Sequence, residues 1–261
     1  MSKCAACRDD RPLGFDFQIA FQPIVDTQKG AVWGYEALVR GARGESAASV
    51  LDGVNEDNRY KFDQACRVKA IEAASLRFDA PGLYLSINFM PNAVYEPAAC
   101  IRSTMIAAKA ANFPTSRIMF EFTEDEMIRD AGHINRIVRA YKEFGFLTAL
   151  DDFGAGYAGL SRFAETQTDL IKIGMQIVRG IDTSRARRAI VHGLAVMAQG
   201  MGVRLLAEGV ETRGEFEALA DIGVTLFQGY YFGRPTLARL DSQALAAQAT
   251  PGAALFAAGK G

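Results

Sequence analysis

Eight short apolar, β-branched or aromatic runs recur along the chain, at Phe17–Val25, Val32–Val39, Leu83–Phe89, Ile118–Phe122, Leu147–Leu150, Leu170–Ile173, Arg204–Ala207 and Leu226–Gln228. Amphipathic stretches with helical spacing fill most of the gaps: Ser46–Gly53 with Phe62–Phe78, then Pro97–Ala111, Asp125–Phe144, Tyr157–Phe163, Thr183–Met201 and Arg213–Ile222. Strand and helix in alternation predict a parallel sheet covered by helices, and eight units within 261 residues are the size of a closed (β/α)8 barrel. The link Asp26-Thr27-Gln28-Lys29-Gly30 is too short for a crossover helix, so the first two strands are expected to pair antiparallel. The predicted fold class is therefore α/β, a TIM-like barrel with an antiparallel first strand pair.

The ends look peripheral. Residues 1–14 read as a polar tail, 15–249 as a single barrel domain with at most one more helix around Leu237–Ala249, and 250–261 as a disordered tail with too little to bury. Cys4 and Cys7 form a lone CxxC that no second pair or paired histidine completes, whereas Cys66 and Cys100 fall in helix-like stretches and read as small core residues. Lys and Arg total 29 against 30 Asp and Glu, a net charge of −1, which lacks the electrostatic footprint of a general nucleic-acid or anionic-membrane binder. Neither DNA nor a membrane is an expected partner. With no apolar run of membrane length and no signal-peptide-like start, the expected location is cytoplasmic.

Polar residues interrupt the eight runs in a pattern. Glu36 lies inside the second run, Asn88 near the end of the third, Glu121 and Glu124 close the fourth, and Asp151-Asp152 end the fifth. Lys172 is inside the sixth, Glu208 follows the seventh, and Gln228 ends the eighth. In a barrel all these strand ends meet at one mouth, where barrel enzymes keep their active sites. Singly, Asp151, Glu121 or Glu208 reads as a cap for the next helix and Asn88 as a turn residue. Glu36 and Lys172 resist that reading, because charges inside apolar runs are rarely buried without partners.

Charge narrows the chemistry. Glu36, Glu121, Asp151, Asp152 and Glu208 bring five negative charges against two positive from Lys172 and Arg40, an excess that would force protonation or open the site. Two divalent cations would relieve it and suit a singly charged phosphodiester. Carboxylates with an amide oxygen and no His or Cys are hard donors, fitted to Mg²⁺ or Mn²⁺ more than to zinc. For adjacent Asp151 and Asp152 both to reach metal, the chain must leave extended geometry there, and Gly154 and Gly156 supply permissive residues for the turn. Gly154-Ala155-Gly156-Tyr157-Ala158-Gly159 also fits GxGxxG, but two preceding carboxylates would repel a pyrophosphate and no acid closes a partner strand about 20 residues on. A mobile loop over the metals is the better reading. A two-carboxylate glycosidase would use Glu121 and Glu208 but leave Asp151-Asp152, Asn88 and Lys172 without work.

Read together, Tyr35-Glu36-Ala37-Leu38-Val39-Arg40, Phe21-Gln22-Pro23-Ile24, Ser86-Ile87-Asn88, Glu121-Phe122-Thr123-Glu124, Asp151-Asp152-Phe153-Gly154-Ala155-Gly156-Tyr157, Ile171-Lys172-Ile173, Ala207-Glu208-Gly209-Val210-Glu211-Thr212 and Gln228-Gly229-Tyr230-Tyr231-Phe232 resemble, in order and spacing, the motifs of the EAL domain family of bacterial cyclic di-GMP-specific phosphodiesterases. The likeness runs from about Phe17 to Pro235. It implies hydrolysis of cyclic di-GMP to linear 5′-pGpG with two Mg²⁺ or Mn²⁺, the first metal held by Glu36, Asn88, Glu121 and Asp151 and the second by Asp151, Asp152 and Glu208. It further implies that Lys172 hydrogen-bonds the attacking water, that Arg40, Gln22, Gln228 and Asp152 meet the substrate, and that Glu124 anchors the loop Asp152–Ser161 and couples it to a homodimer. Glu208 and Glu124 would join Lys172 as catalytic residues.

Two departures stand out. Gly174 occupies a position where the family usually has Asp, which touches a supporting contact and not a metal ligand, and Gly41–Glu45 is shorter than the common form, like the version attached to blue-light sensors. With only 16 residues before the first strand and no sensor segment, regulation is expected from a protein partner, a dimer interface or the Cys4/Cys7 tail. The alternative within the family is a silent domain that serves as a cyclic di-GMP receptor or interaction module. Such members lose acids from the metal set, and here every such position is filled.

Overall fold

A computed structural model describes residues 13–123, 131–154, 159–243 and 245. Strands β1 (Phe17–Asp26) and β2 (Ala31–Gly41) form the expected antiparallel pair, with Gln22 opposite Glu36. Their turn is fixed by Asp26, whose Oδ1 accepts from the Gln28 and Lys29 amides at 3.1 and 3.2 Å. From β2 the sheet runs parallel through β3 (Tyr84–Asn88), β4 (Ile118–Thr123), β5 (Leu147–Phe153), β6 (Leu170–Ile173), β7 (Arg204–Ala207) and β8 (Leu226–Gln228). β8 closes the barrel against β1, antiparallel. The inverted first strand therefore has antiparallel neighbours on both sides.

The helical layer comprises α1 (Ala47–Leu51), α2 (Arg59–Arg77), α3 (Pro97–Cys100), α4 (Arg102–Ala110), α5 (Ala131–Glu143), α6 (Gly159–Thr166), α7 (Met175–Val178), α8 (Arg185–Met201) and α9 (Arg213–Ile222). The single helix expected over Pro97–Ala111 breaks at Ile101 into α3 and α4, and α7 is an element whose four residues are too few for a periodic signal. α9 starts where the sequence carries a capping box: Thr212 accepts from the Glu215 amide, and Glu215 returns to the Thr212 amide. Of the helix expected around Leu237–Ala249, Ser242, Gln243 and Leu245 are helical and 246–249 lie outside the described residues. Cys66 and Cys100 are buried free thiols, as expected, while Cys4 and Cys7 lie outside the described residues. Among the described residues no helix is long and apolar enough to cross a membrane.

Two cores result from the strand alternation. One fills the space between barrel and helices; the other, made of Ile24, Trp33, Met119, Ala149, Leu170, Leu206 and Leu226, fills the lower barrel interior. Side chains two residues apart share a face. Moving two residues toward the mouth from Ile24, Met119, Ala149, Leu170, Leu206 and Leu226 gives Gln22, Glu121, Asp151, Lys172, Glu208 and Gln228. The barrel interior is thus apolar below and polar above.

Candidate metal site at the barrel mouth

The upper layer is one connected cluster around the fully buried Lys172. Its ammonium lies 2.9 Å from Glu121 Oε2, 2.9 Å from Asp151 Oδ1, 2.7 Å from Glu208 Oε1 and 4.0 Å from Glu36 Oε2. Two amides hold Glu36 and Glu121: Asn88 Nδ2 donates to Glu36 Oε1 at 2.8 Å and Glu121 Oε1 at 3.1 Å, and Gln228 Nε2 donates to Glu36 Oε2 at 2.5 Å. Gln228 Nε2 also reaches Gln22 Oε1 at 3.2 Å, and Gln22 Nε2 donates to the Gly233 carbonyl at 3.2 Å. Seven strands thus contribute Gln22, Glu36, Asn88, Glu121, Asp151, Lys172 and Gln228, and Glu208 follows β7 directly.

Charge repulsion and burial show in the acid–base behaviour. Burial pushes Glu121 and Glu208 well above the ordinary glutamate range; Lys172 opposes this, and the neighbouring carboxylates add to it. Burial would also raise Asp151, but Lys172 outweighs it and holds that carboxyl below its ordinary value. For Lys172 burial favours the neutral amine, yet Asp151, Glu121, Glu208 and Glu36 together keep the ammonium protonated well above the usual lysine value. One ammonium is left to balance four acids.

Among the described residues no three His, Cys, Asp or Glu side chains frame an ion position unaided, because the acids converge on Lys172 Nζ and on the two amides. The donor set nonetheless fits a hard dication. A cation already sits at the focus of three carboxylates, the Glu36 carboxylate lies beside them, the neighbouring amides of Asn88 and Gln228 add oxygen donors, and Gln228 Oε1 is buried with no hydrogen-bond partner.

Asp152 answers the geometric question its neighbour raised. It takes φ +51°, a left-handed conformation, and the β5–β6 register shifts between Leu150 and Phe153. The extended chain therefore breaks at Asp152 itself, two residues before the first of the glycines, and Gly154 follows at φ +98°. Arg40 lies toward the rim on the inward row of Glu36, and its Nη1 donates to the Val39 carbonyl at 2.7 Å, not to one of the described acids. Glu124 and residues 155–158 of the glycine loop lie outside the described residues. Ser86, not among the expected site residues, also joins the cluster: its Oγ donates to Glu121 Oε2 at 2.7 Å. Its position two residues before Asn88, on the same face, was the available signal.

The EAL domain family model matches residues 11–235. The chain belongs to the EAL domain family. It is 50% identical to a standalone versatile EAL protein from Vibrio cholerae O395, solved with c-di-GMP bound, at a TM-score of 0.85 over 88% of this chain and 97% of that one. BlrP1 from Klebsiella pneumoniae, in a manganese and cyclic di-GMP complex, is 33% identical at a TM-score of 0.79, covering 87% of this chain and 57% of BlrP1. By sequence the chain is 27% identical to a cyclic di-GMP phosphodiesterase from Pseudomonas aeruginosa, over 85% of this chain and 38% of that protein. It is 28% identical to the blue light- and temperature-regulated antirepressor BluF of Escherichia coli K12, over 84% of this chain and 54% of BluF. The chain thus spans about half the length, or less, of these two relatives.

Proposed function

We propose that this EAL domain hydrolyses cyclic di-GMP to linear 5′-pGpG with the help of two Mg²⁺ or Mn²⁺ ions. The observation that carries the reading is the convergence of four carboxylates, from β2, β4, β5 and the residue after β7, on one buried ammonium, an arrangement short of positive charge by several units. Relatives solved with manganese or calcium and cyclic di-GMP support the choice of ion class and ligand.

Glu36, Asn88, Glu121 and Asp151 would hold one ion, and Asp151, Asp152 and Glu208 the other. Bound there, the pair would lower the pKa of a shared water, polarise the phosphoryl oxygen and stabilise the leaving 3′ oxygen. Lys172 stays protonated; it donates to the attacking water and offsets charge that develops on the phosphoryl oxygens. Arg40 swings from the Val39 carbonyl to a phosphate oxygen, a bond of the charge-assisted type. Gln22 and Gln228, already bonded to each other, present amide groups on the β1–β8 side of the mouth. Glu124 and the loop Asp152–Ser161 connect the site to a homodimer and to a regulatory protein partner, in a cytoplasmic protein whose barrel domain spans 15–249.

Incubation with cyclic di-GMP and Mg²⁺ or Mn²⁺, with nucleotide products separated chromatographically, tests the reading. Formation of pGpG that stops on chelation supports it. Tight nucleotide binding with no product in either metal assigns the chain to the receptors instead.

A further inference from the structure

Behind the mouth, on the helical side of the barrel, α2 carries a buried ion pair that the chemistry above leaves unused. Asp63 and Arg67 are 3% and 0% exposed, and Arg67 Nη2 lies 2.7 Å from Asp63 Oδ2. Burying two charges is expensive, and an apolar pair of the same volume would serve stability as well, so the contacts the pair makes need their own explanation. Asp63 Oδ1 accepts the Met90 amide at 2.9 Å, two residues beyond Asn88. The Arg67 guanidinium lies 5.4 Å from the Phe89 ring centroid and 5.0 Å from that of Phe120, and its Nη1 donates to Tyr141 Oη at 2.7 Å. Phe89 follows Asn88 and Phe120 precedes Glu121, while the Phe89 amide donates to the Glu121 carbonyl at 3.0 Å. Strand alternation makes these the outward-facing neighbours of two inward-facing site residues.

From this we infer that Asp63 and Arg67 are positioning residues, a peg on α2 that fixes the ends of β3 and β4 so that Asn88 and Glu121 present their oxygens to metal. The inference rests on the reading of the mouth as a metal site. Groups that orient metal ligands from outside typically change metal affinity by about 10–100-fold when removed.

The test is a Mn²⁺ titration of the full chain, with free Mn²⁺ read by electron paramagnetic resonance and folding by thermal melting. Asp63→Leu combined with Arg67→Met replaces the pair by apolar groups; it is expected to fold and to bind Mn²⁺ at least tenfold more weakly. Tyr141→Phe removes a partner of Arg67 but keeps the Met90 contact, so it should lower the melting temperature and leave Mn²⁺ affinity unchanged. A folded double variant with wild-type Mn²⁺ affinity overturns the inference, and so does a Tyr141→Phe chain weakened as much as the double variant. Should the double variant not fold, Asp63→Asn decides, since it keeps an acceptor for Met90 and should hold Mn²⁺ within threefold; a tenfold loss there overturns the peg. A wild-type chain that takes up no Mn²⁺ refutes the metal reading itself, a result distinct from all of these.

Discussion

Replacing Lys172 by Met separates the electrostatic account of the mouth from simple packing, because the two side chains have similar length and only the charge is lost. Lys172 touches Glu121, Asp151 and Glu208 at 2.7 to 2.9 Å. At an effective dielectric of about 20, each contact is worth roughly 5–6 kcal/mol before desolvation. The sum would exceed the roughly 5–15 kcal/mol stability of a whole domain, so most of it must be cancelled by the cost of burying the charges. What remains is the penalty for stranding buried acids without their partner, about 3–5 kcal/mol. In a chain of this size each kcal/mol moves Tm by about 2–4 °C, so Lys172→Met should melt roughly 6–20 °C lower in chelator near neutral pH. Added Mn²⁺ should restore more than half of that loss, since dications supply the missing charge, and turnover should still fall by about 10²–10⁴-fold because the water loses its donor. Scanning fluorimetry with and without Mn²⁺, beside a pGpG assay, reads all three quantities. A variant that melts within about a degree of the parent in chelator would refute the charge argument, and one that keeps most of its turnover would refute the role given to the ammonium.

The acid groups also set a pH dependence. Glu121 and Glu208 hold their protons more tightly folded than unfolded, so the stability they give is complete below the ordinary value of 4.5 and is lost as pH rises through their higher folded values. Asp151, held below its ordinary 3.8, acts in the opposite sense at the acid end only. In chelator, Tm should therefore fall as pH rises above the ordinary glutamate value of 4.5, and Mn²⁺ should flatten the fall; a Tm that rises with pH there contradicts the assignment. Glu36→Ala should abolish pGpG formation yet fold, because the bonds lost from Asn88 and Gln228, about 1 kcal/mol each, are offset by relief of like-charge repulsion; an insoluble protein would count against that balance. Asp152→Asn should keep the parent Tm while losing hydrolysis, whereas Asp152→Val should lower Tm, since a β-branched residue at φ +51° is strained by about 1–3 kcal/mol. Equal melting of the two variants would remove the backbone argument.

Period-2 and period-3.6 patterns were enough to locate the strands: β6, β7 and β8 begin and end at the residues the patterns marked, and β5 runs three residues further than its apolar run, through the two aspartates to Phe153. That extension is instructive. Asp151 and Asp152 look like a strand terminus in sequence, but the strand continues because Asp151 is paid for by Lys172 and Asp152 takes a bend that Asp tolerates. The inverted β1 was readable from loop length alone, since five residues cannot cross over a sheet. Its second antiparallel partner, β8, follows from barrel closure and has no local signal.

The site was legible for the same reason the core was. An inward row that packs apolar side chains lower in the barrel has no packing use for a polar group, so a polar residue two positions above Met119, Leu170, Leu206, Leu226 or Tyr84 must answer to something other than packing. That rule finds Glu121, Lys172, Glu208 and Gln228, and applied strictly it finds Ser86 as well. It is blind to Asp63 and Arg67, because on a helix an acid and a base four residues apart are the ordinary mark of a solvated face. Only the fold shows that this face of α2 is turned inward against Phe89 and Phe120, where the same spacing becomes a buried pair gripping the strands that carry Asn88 and Glu121.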